Sequence, residues 1–280
     1  MFGSEYADHP EILLSSLRAM NNRYRMAVGA GSRNIIGRLQ VFYVRLFGIP
    51  EIGFQVRGMY FRQALQLLQE SRLRYIGDAG SGIGCYALAL AAVFPKARVV
   101  GWDIDGGKLK VARVIAEKRN LTNVRFVERD IVQKKIPQPA AYDLIVTIDV
   151  LEHIKRYDVA LRHLTAALKP GGYLFLHVPQ VEQRRFFSVL RSWEHHDHAR
   201  VGFSPAELVR ELRTLGFSIR FTRHTFGFFG SLAWEIHHLT LAMNQYVAAA
   251  AFPFLYVLAS IDVFVHNKRG LGVAVLARKL

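Results

Sequence analysis

The chain has 280 residues, 51% of them hydrophobic, and a net charge of +15 from 37 Lys and Arg against 22 Asp and Glu. Burial of that much apolar surface offsets ordering entropy, so disorder is excluded as the main state. A single cysteine, Cys85, excludes a disulfide scaffold. The basic excess is spread along the chain with no Lys/Arg run, which fits a solvated surface or an anionic partner better than a dedicated nucleic-acid strip.

The opening residues, MFGSEYADHP, lack the basic start and apolar core of a secretory signal. A reducing, cytoplasmic setting is expected. Residues 10–70 are predicted helical, because apolar residues recur at three- and four-residue spacing in PEILLSSLRAM and FRQALQLLQE. Gly-containing links, GAGSRN and FGIPEIGF, separate these runs. Residues 1–71 are read as an N-terminal helical cap and residues 72–280 as one larger α/β domain.

From residue 73 short strands alternate with longer helices. LRYIGD, ARVVGWD, NVRFVER, YDLIVTID and YLFLHVP read as strands. GIGCYALALAAVF, GGKLKVARVIAEKRN and YDVALRHLTAALKPGG read as helices, the last stopped by Pro170 and Gly171-Gly172. SPAELVRELRTLGF is a further helix with Ser204 as N-cap and Pro205 in its first turn. FSIRFTRHT and GVAVLARKL are strands. This alternation predicts a parallel, doubly wound sheet.

Residues 226–270 separate the last two strands and form an apolar helical insertion. From Leu239 to Ile261 no residue is formally charged, which is long enough to span a bilayer. Asn244, Gln245 and Pro253 interrupt the run and Asp262 closes it. The insertion is read as a lid over a dry substrate pocket, or as a membrane contact with Trp234, Tyr246 and Tyr256 near the interface. A bilayer span or a dimer interface is a third reading. A single span is disfavoured, since it would part the last two strands.

The first strand runs into Asp78-Ala79-Gly80-Ser81-Gly82-Ile83-Gly84. A Gly-rich turn between strand and helix lets backbone approach a nucleotide-like ligand. Asp103 ends the second strand, where a carboxylate can accept from both ribose hydroxyls. Asp105 is its rival. Asp130 follows the third strand, placed to accept from an adenine amino group, with Ile131 beside it.

These stretches, in order and spacing, resemble the class I S-adenosylmethionine-dependent methyltransferases. They are IGDAGSGIG, VVGWDID, FVERDI, YDLIVTIDVLEHI and LKPGGYLFLHVP. A dehydrogenase is a weaker match, because its third Gly falls one residue later. The resemblance implies a doubly wound, Rossmann-like sheet of seven strands with the last antiparallel. It implies S-adenosylmethionine as cofactor, held by Asp78, Ala79, Gly80, Ser81, Gly82 and Gly84 around its methionine part. Asp103 and Ile104 would serve the ribose side, and Asp130 and Ile131 the adenine.

On the acceptor side, Asp149, His153 and His198 are the candidate catalytic residues, His153 as a base for an acceptor hydroxyl. His198 belongs to the stretch Trp193-Glu194-His195-His196-Asp197-His198, read as a substrate-side lid. No metal is the primary expectation. A weaker alternative places one on Asp149, Glu152, His153 and His198, similar to the Glu-x-x-Glu-His pattern of metal-dependent O-methyltransferases. Asp149 departs from that pattern by one carbon.

The activity expected is methyl transfer to a hydroxyl or amine of a hydrophobic small molecule, such as a lipid or quinone-like acceptor. Peripheral contact with the inner membrane surface is expected to accompany it. An RNA methyltransferase, including metal-assisted 2′-O-methylation, is the alternative, weakened by the lack of an RNA-binding module. A non-enzymatic cofactor-binding scaffold is the second.

Overall fold

The computed structural model describes residues 50–68, 73–137, 139–190 and 198–280. PEILLSSLRAM therefore lies outside the described residues, as does Trp193 through Asp197. What is described of the cap is one helix, α1 (Ile52–Gln66), capped by the Glu51 carboxylate on the N–H groups of Gly53 and Phe54.

Seven strands follow: β1 (Tyr75–Ala79), β2 (Arg98–Asp103), β3 (Val124–Glu128), β4 (Tyr142–Ile148), β5 (Leu168–Pro179), β6 (Phe217–Thr225) and β7 (Gly272–Lys279). They form one sheet in the order β3-β2-β1-β4-β5-β7-β6. The first five are parallel, and β7 runs antiparallel to both β5 and β6. The helices are α2 (Cys85–Val93), α3 (Gly106–Lys118), α4 (Tyr157–Ala167), α5 (Pro205–Thr214), α6 (Phe228–Met243) and α7 (Gln245–Ile261).

Central strands here are apolar on both faces, as a sheet covered twice requires. Along β7, Ala274 and Leu276 pack towards α1, α2, α3, α6 and α7, while Val273, Val275 and Ala277 pack towards α4 and α5. Each fully buried Leu, Ile or Val contributes about 1.5–3 kcal/mol by leaving water. The helix α1 is part of this core: Phe61 stacks on Phe175 of β5 with ring centroids 4.8 Å apart.

Two local expectations shift. The helix α4 stops at Ala167, and Pro170-Gly171-Gly172 lies inside β5, which pairs with Tyr142 from Leu168 onward. Gly171 takes φ of +78°, and the register with β4 jumps between Tyr142 and Leu144. The Pro-Gly-Gly run thus makes an irregularity in a strand instead of a helix end.

The insertion is a helical hairpin. Asn244 breaks it, with extended backbone (φ −170°, ψ 140°), and its side chain caps α7 by accepting from the Tyr246 N–H at 2.7 Å. Pro253 does not interrupt it: α7 runs through that residue. Asp262, fully buried, staples the hairpin's two ends. Its carboxylate accepts from the Gly227 N–H (2.9 Å), the Gly230 N–H (3.0 Å) and the Tyr60 hydroxyl of α1 (2.9 Å). Both flanking strands pair with each other, so the hairpin leaves and re-enters the sheet at one end.

Candidate functional site

The loop after β1 is shaped by glycine. Gly80 and Gly82 have φ of +76° and +53°, where a side chain costs energy. A Cβ on Gly80 would collide with Val150, whereas one on Gly82 would meet nothing within 4 Å among the described residues. Gly80 therefore lets the loop close onto the exit of β4, and Gly82 borders space that no described residue fills.

Asp103, at the end of β2, is fixed by two backbone donors. Gly82 N–H reaches Oδ2 at 2.7 Å and Asp105 N–H reaches Oδ1 at 2.9 Å. Each oxygen keeps a lone pair for a ligand hydroxyl. Its rival Asp105 caps α3, accepting from the Lys108 N–H at 3.0 Å. That bond, above all, holds the Asp105 carboxyl below the usual range. Asp103 faces the loop and Asp105 serves the helix.

Asp130 accepts from the Val132 and Gln133 N–H groups through Oδ1, at 2.7 and 3.2 Å, which orients it at the end of β3. The Ile131 side chain is committed to the core under α4 at 5% exposure, while Ile104 is 71% exposed. Ile104 is thus the apolar side chain of this pair that a flat ring can reach.

Asp78 is buried and accepts from the Ala87 N–H at 3.0 Å. Burial pushes its carboxyl up to about 7, with Asp103 adding repulsion. Nearby, the Ser81 and Tyr86 hydroxyls are buried without a hydrogen-bond partner among the described residues. An acid that charges only with difficulty, beside orphaned hydroxyls and a glycine cradle, fits a polar cationic ligand that supplies the missing partners. The donor set therefore fits S-adenosylmethionine.

The second half of the site begins at Asp149, directly after β4. Its φ is +52°, a left-handed conformation uncommon outside glycine. This turn aims its carboxylate at an ion pair with Arg57 of α1 and at His177 Nδ1, 2.6 Å away. His177 Nε2 lies 2.8 Å from the Thr225 hydroxyl at the end of β6. Burial opposes charge on Asp149, but Arg57 and His177 together outweigh it and hold the carboxyl below the ordinary range. Asp149 is thereby favoured as the anionic partner of Arg57 at neutral pH.

Replacing Arg57 by Met should strand that anion. We expect a loss of about 3 kcal/mol in folding stability by urea unfolding. Asp149→Asn in the same background should recover much of it. A loss below ~1 kcal/mol for Arg57→Met would show that the pair is of the weakly coupled, exposed kind.

A 3₁₀ turn, Leu151–His153, follows. Glu152 is buried, and burial, aided by Asp149, pushes its carboxyl up. Its backbone carbonyl accepts from the Ala199 and Arg200 N–H groups, at 2.8 and 3.2 Å. That contact brings the β5–α5 loop back so that His198 meets His153 edge-on, ring centroids 4.7 Å apart. One ligand atom from each of Glu152, His153 and His198 falls within 4.8 Å of the others, close enough to share a divalent cation. Asp149 is not in that group. His195 and His196 lie outside the described residues.

These side chains line a cavity of about 290 Å³, whose other walls include Gln183, Arg185, Phe226 and Trp234. The insertion builds part of it. Trp234 of α6 sits under the Arg185 guanidinium, 4.7 Å from the ring centroid. The fully buried Glu235 accepts from the Phe186 and Phe187 N–H groups at 3.1 and 2.9 Å, tying the loop after β5 to the insertion. Trp234 thus lines the cavity, and Tyr256 packs on Phe252.

Sequence reasoning missed Arg57, His177, Thr225 and Glu235. His177 had a signal: it is the one histidine in the otherwise apolar strand YLFLHVP. Arg57 likewise interrupts IGFQVRGMYF, but nothing local shows that Asp149 is its partner.

Residues 70–205 match the family model described as a methyltransferase domain. A ubiquinone biosynthesis O-methyltransferase of Leptothrix cholodnii is 28% identical over 155 residues, 52% of this chain and 65% of that protein. The chain thus spans less than two thirds of that relative. A phospholethanolamine N-methyltransferase from Haemonchus contortus, solved with phosphomonomethylethanolamine and S-adenosylhomocysteine, superposes with a TM-score of 0.55 at 18% identity, covering 88% of this chain and 59% of that one. The [4+2]-cyclase SpnF superposes at 0.54 with 20% identity, covering 78% and 80%. At such identities the structural likeness concerns the fold, which one cyclase shares.

Proposed function

We propose that this chain, which belongs to the class I S-adenosylmethionine-dependent methyltransferases, moves a methyl group to a hydroxyl of a hydrophobic small molecule. When bound, the cofactor supplies an activated methyl on a good leaving group, so the protein aligns donor and acceptor and provides no nucleophile. Asp78 and the Gly80–Gly84 loop would hold its methionine part, Asp103 its ribose hydroxyls and Asp130 its adenine amino group. His153, at the cavity wall, takes the acceptor proton. Asp149 positions: fixed as an anion by Arg57 and His177, it is a poor base and a rigid floor.

The observation that carries this reading is the cavity itself. Its turn, 149–153, touches the cofactor loop through Val150 and Gly80. It mixes a histidine pair with apolar walls from Phe226, Trp234 and Leu271. About 290 Å³ suits a ring or lipid head rather than a structured RNA end. Relatives named ubiquinone biosynthesis O-methyltransferases support an oxygen acceptor. Incubating the protein with methyl-labelled S-adenosylmethionine and fractionated extract should label the organic-soluble fraction. Label confined to RNA or protein would refute the proposal.

The cluster of Glu152, His153 and His198 favours a second reading in which a divalent cation orients the acceptor oxygen. Activity should then fall with chelator and return with added divalent ion. Full turnover by metal-stripped protein would remove that reading and leave His153 as an ordinary base.

A further inference from the structure

The helix α7 is apolar on two opposite sides. Ala248, Phe252, Leu255 and Ala259 face the core. On the other side Val247, Phe254, Val257 and Ile261 form a continuous exposed stripe, extended by Phe264. Phe254 and Phe264 are 78% and 85% exposed. The spacing of three, four and seven residues puts them in one row, roughly 25 Å long at 1.5 Å per residue. The segment Tyr246–Phe264 is apolar enough to cross a membrane, but one side of it is already packed on the domain. A spanning helix would lose that packing; a helix lying flat keeps it.

Charge tells what covers the stripe. The insertion has two acids, Glu235 and Asp262, and both are fully buried and hydrogen-bonded. Its exposed surface carries no carboxylate. Four and five residues beyond Phe264 in the chain come the exposed cations Lys268 and Arg269. Beside Phe264 opens a groove of about 630 Å³ lined by Arg220, Arg223 and His266. A second copy docked face to face would bring one carboxylate-free, cation-rimmed face against another. An anionic sheet with an apolar interior satisfies both the stripe and its rim.

We propose that the outer face of α7 lies in the surface of an anionic bilayer, with Lys268, Arg269, Arg220 and Arg223 meeting lipid phosphates. The face is separate from the catalytic cavity, so its test is independent of methyl transfer.

The test is co-sedimentation with vesicles of phosphatidylglycerol and phosphatidylcholine, against pure phosphatidylcholine. Wild-type protein should sediment with the anionic vesicles, less so at high salt. Phe254→Asp should cut the partition coefficient roughly tenfold or more, by removing a buried ring. Lys268→Gln with Arg269→Gln should cut it by about fivefold per cation, on anionic vesicles only. Thermal unfolding and cofactor binding of all variants should match wild type, because these side chains are exposed. Three results overturn the proposal. One is absence of sedimentation. Another is a lipid-free dimer that Phe254→Asp splits, which would assign the face to a second copy. The third is a large loss of thermal stability in both Phe254→Asp and Val257→Asp with unchanged sedimentation, which would mean that another part of the chain covers it.

Discussion

His153→Ala should lower the rate of methyl transfer by roughly 10²–10⁴-fold, the range typical of a lost general base. The dissociation constant for S-adenosylmethionine should barely move, because the residues placed to hold it come from the ends of β1, β2 and β3. The ring of His153 meets His198 edge-on at the cavity wall, and the 3₁₀ turn that carries it is fixed by the buried Leu151 and Glu152. A change at His153 therefore removes a proton acceptor without loosening the turn. His198→Ala should cost less if His198 merely orients its neighbour. Equal losses at His153, His198 and Glu152, rescued together by excess divalent ion, would instead reveal a shared cation. Single-turnover rates measured with saturating cofactor separate these cases. Unchanged turnover in His153→Ala would exclude it as base.

Asp78→Asn should move two quantities in opposite directions. Wild-type Asp78 is buried and holds its proton up to about pH 7 in the folded protein. An unfolded chain releases it near 4. Between these values the folded state binds more protons, so cofactor-free stability falls as pH rises. Asparagine removes that slope, and the variant should melt higher than wild type at pH 8 without cofactor. Its affinity for S-adenosylmethionine should drop roughly 10–100-fold, as expected when a charged hydrogen-bonding partner is lost. Wild-type affinity should rise with pH and level off above about 7, as the carboxylate forms to meet the cation. Calorimetric titration from pH 5.5 to 8.5 reads this directly. A flat wild-type profile would show that Asp78 does not meet the cationic part of the ligand.

The sheet was legible because its signals are local. β1 through β4 are short apolar runs closed by Asp, Gly or Asn, and the motif order fixes their sequence in space. The strand FSIRFTRHT has in the structure the bounds its sequence predicts, because Gly216 and the Phe226-Gly227 turn punctuate it. The break at Asn244 was visible as a polar gap, but Pro253 misled. A proline ends a helix only where its neighbours cannot accommodate it. Asp103 was separable from Asp105 only through three-dimensional facts, namely which acid caps α3 and which meets Gly82. The Arg57–Asp149–His177–Thr225 chain joins α1, the β4 exit, β5 and β6. Its members stand up to 168 residues apart, counted from Arg57 to Thr225, and no periodicity or spacing rule reaches that far.

The place of β7 in the sheet sets a problem of timing. Among the described strands β6 touches the sheet only through β7, and β7 is made after the hairpin of α6 and α7. During synthesis the chain must therefore carry about 45 apolar-rich residues of insertion before the strand that completes the sheet exists. Long-range pairing of this kind is slow to form, and unpaired edges with uncovered apolar helices invite aggregation. The nascent protein is thus most vulnerable with β6 finished and β7 still missing. Where the hairpin finds shelter in that interval decides how much chain reaches the native state.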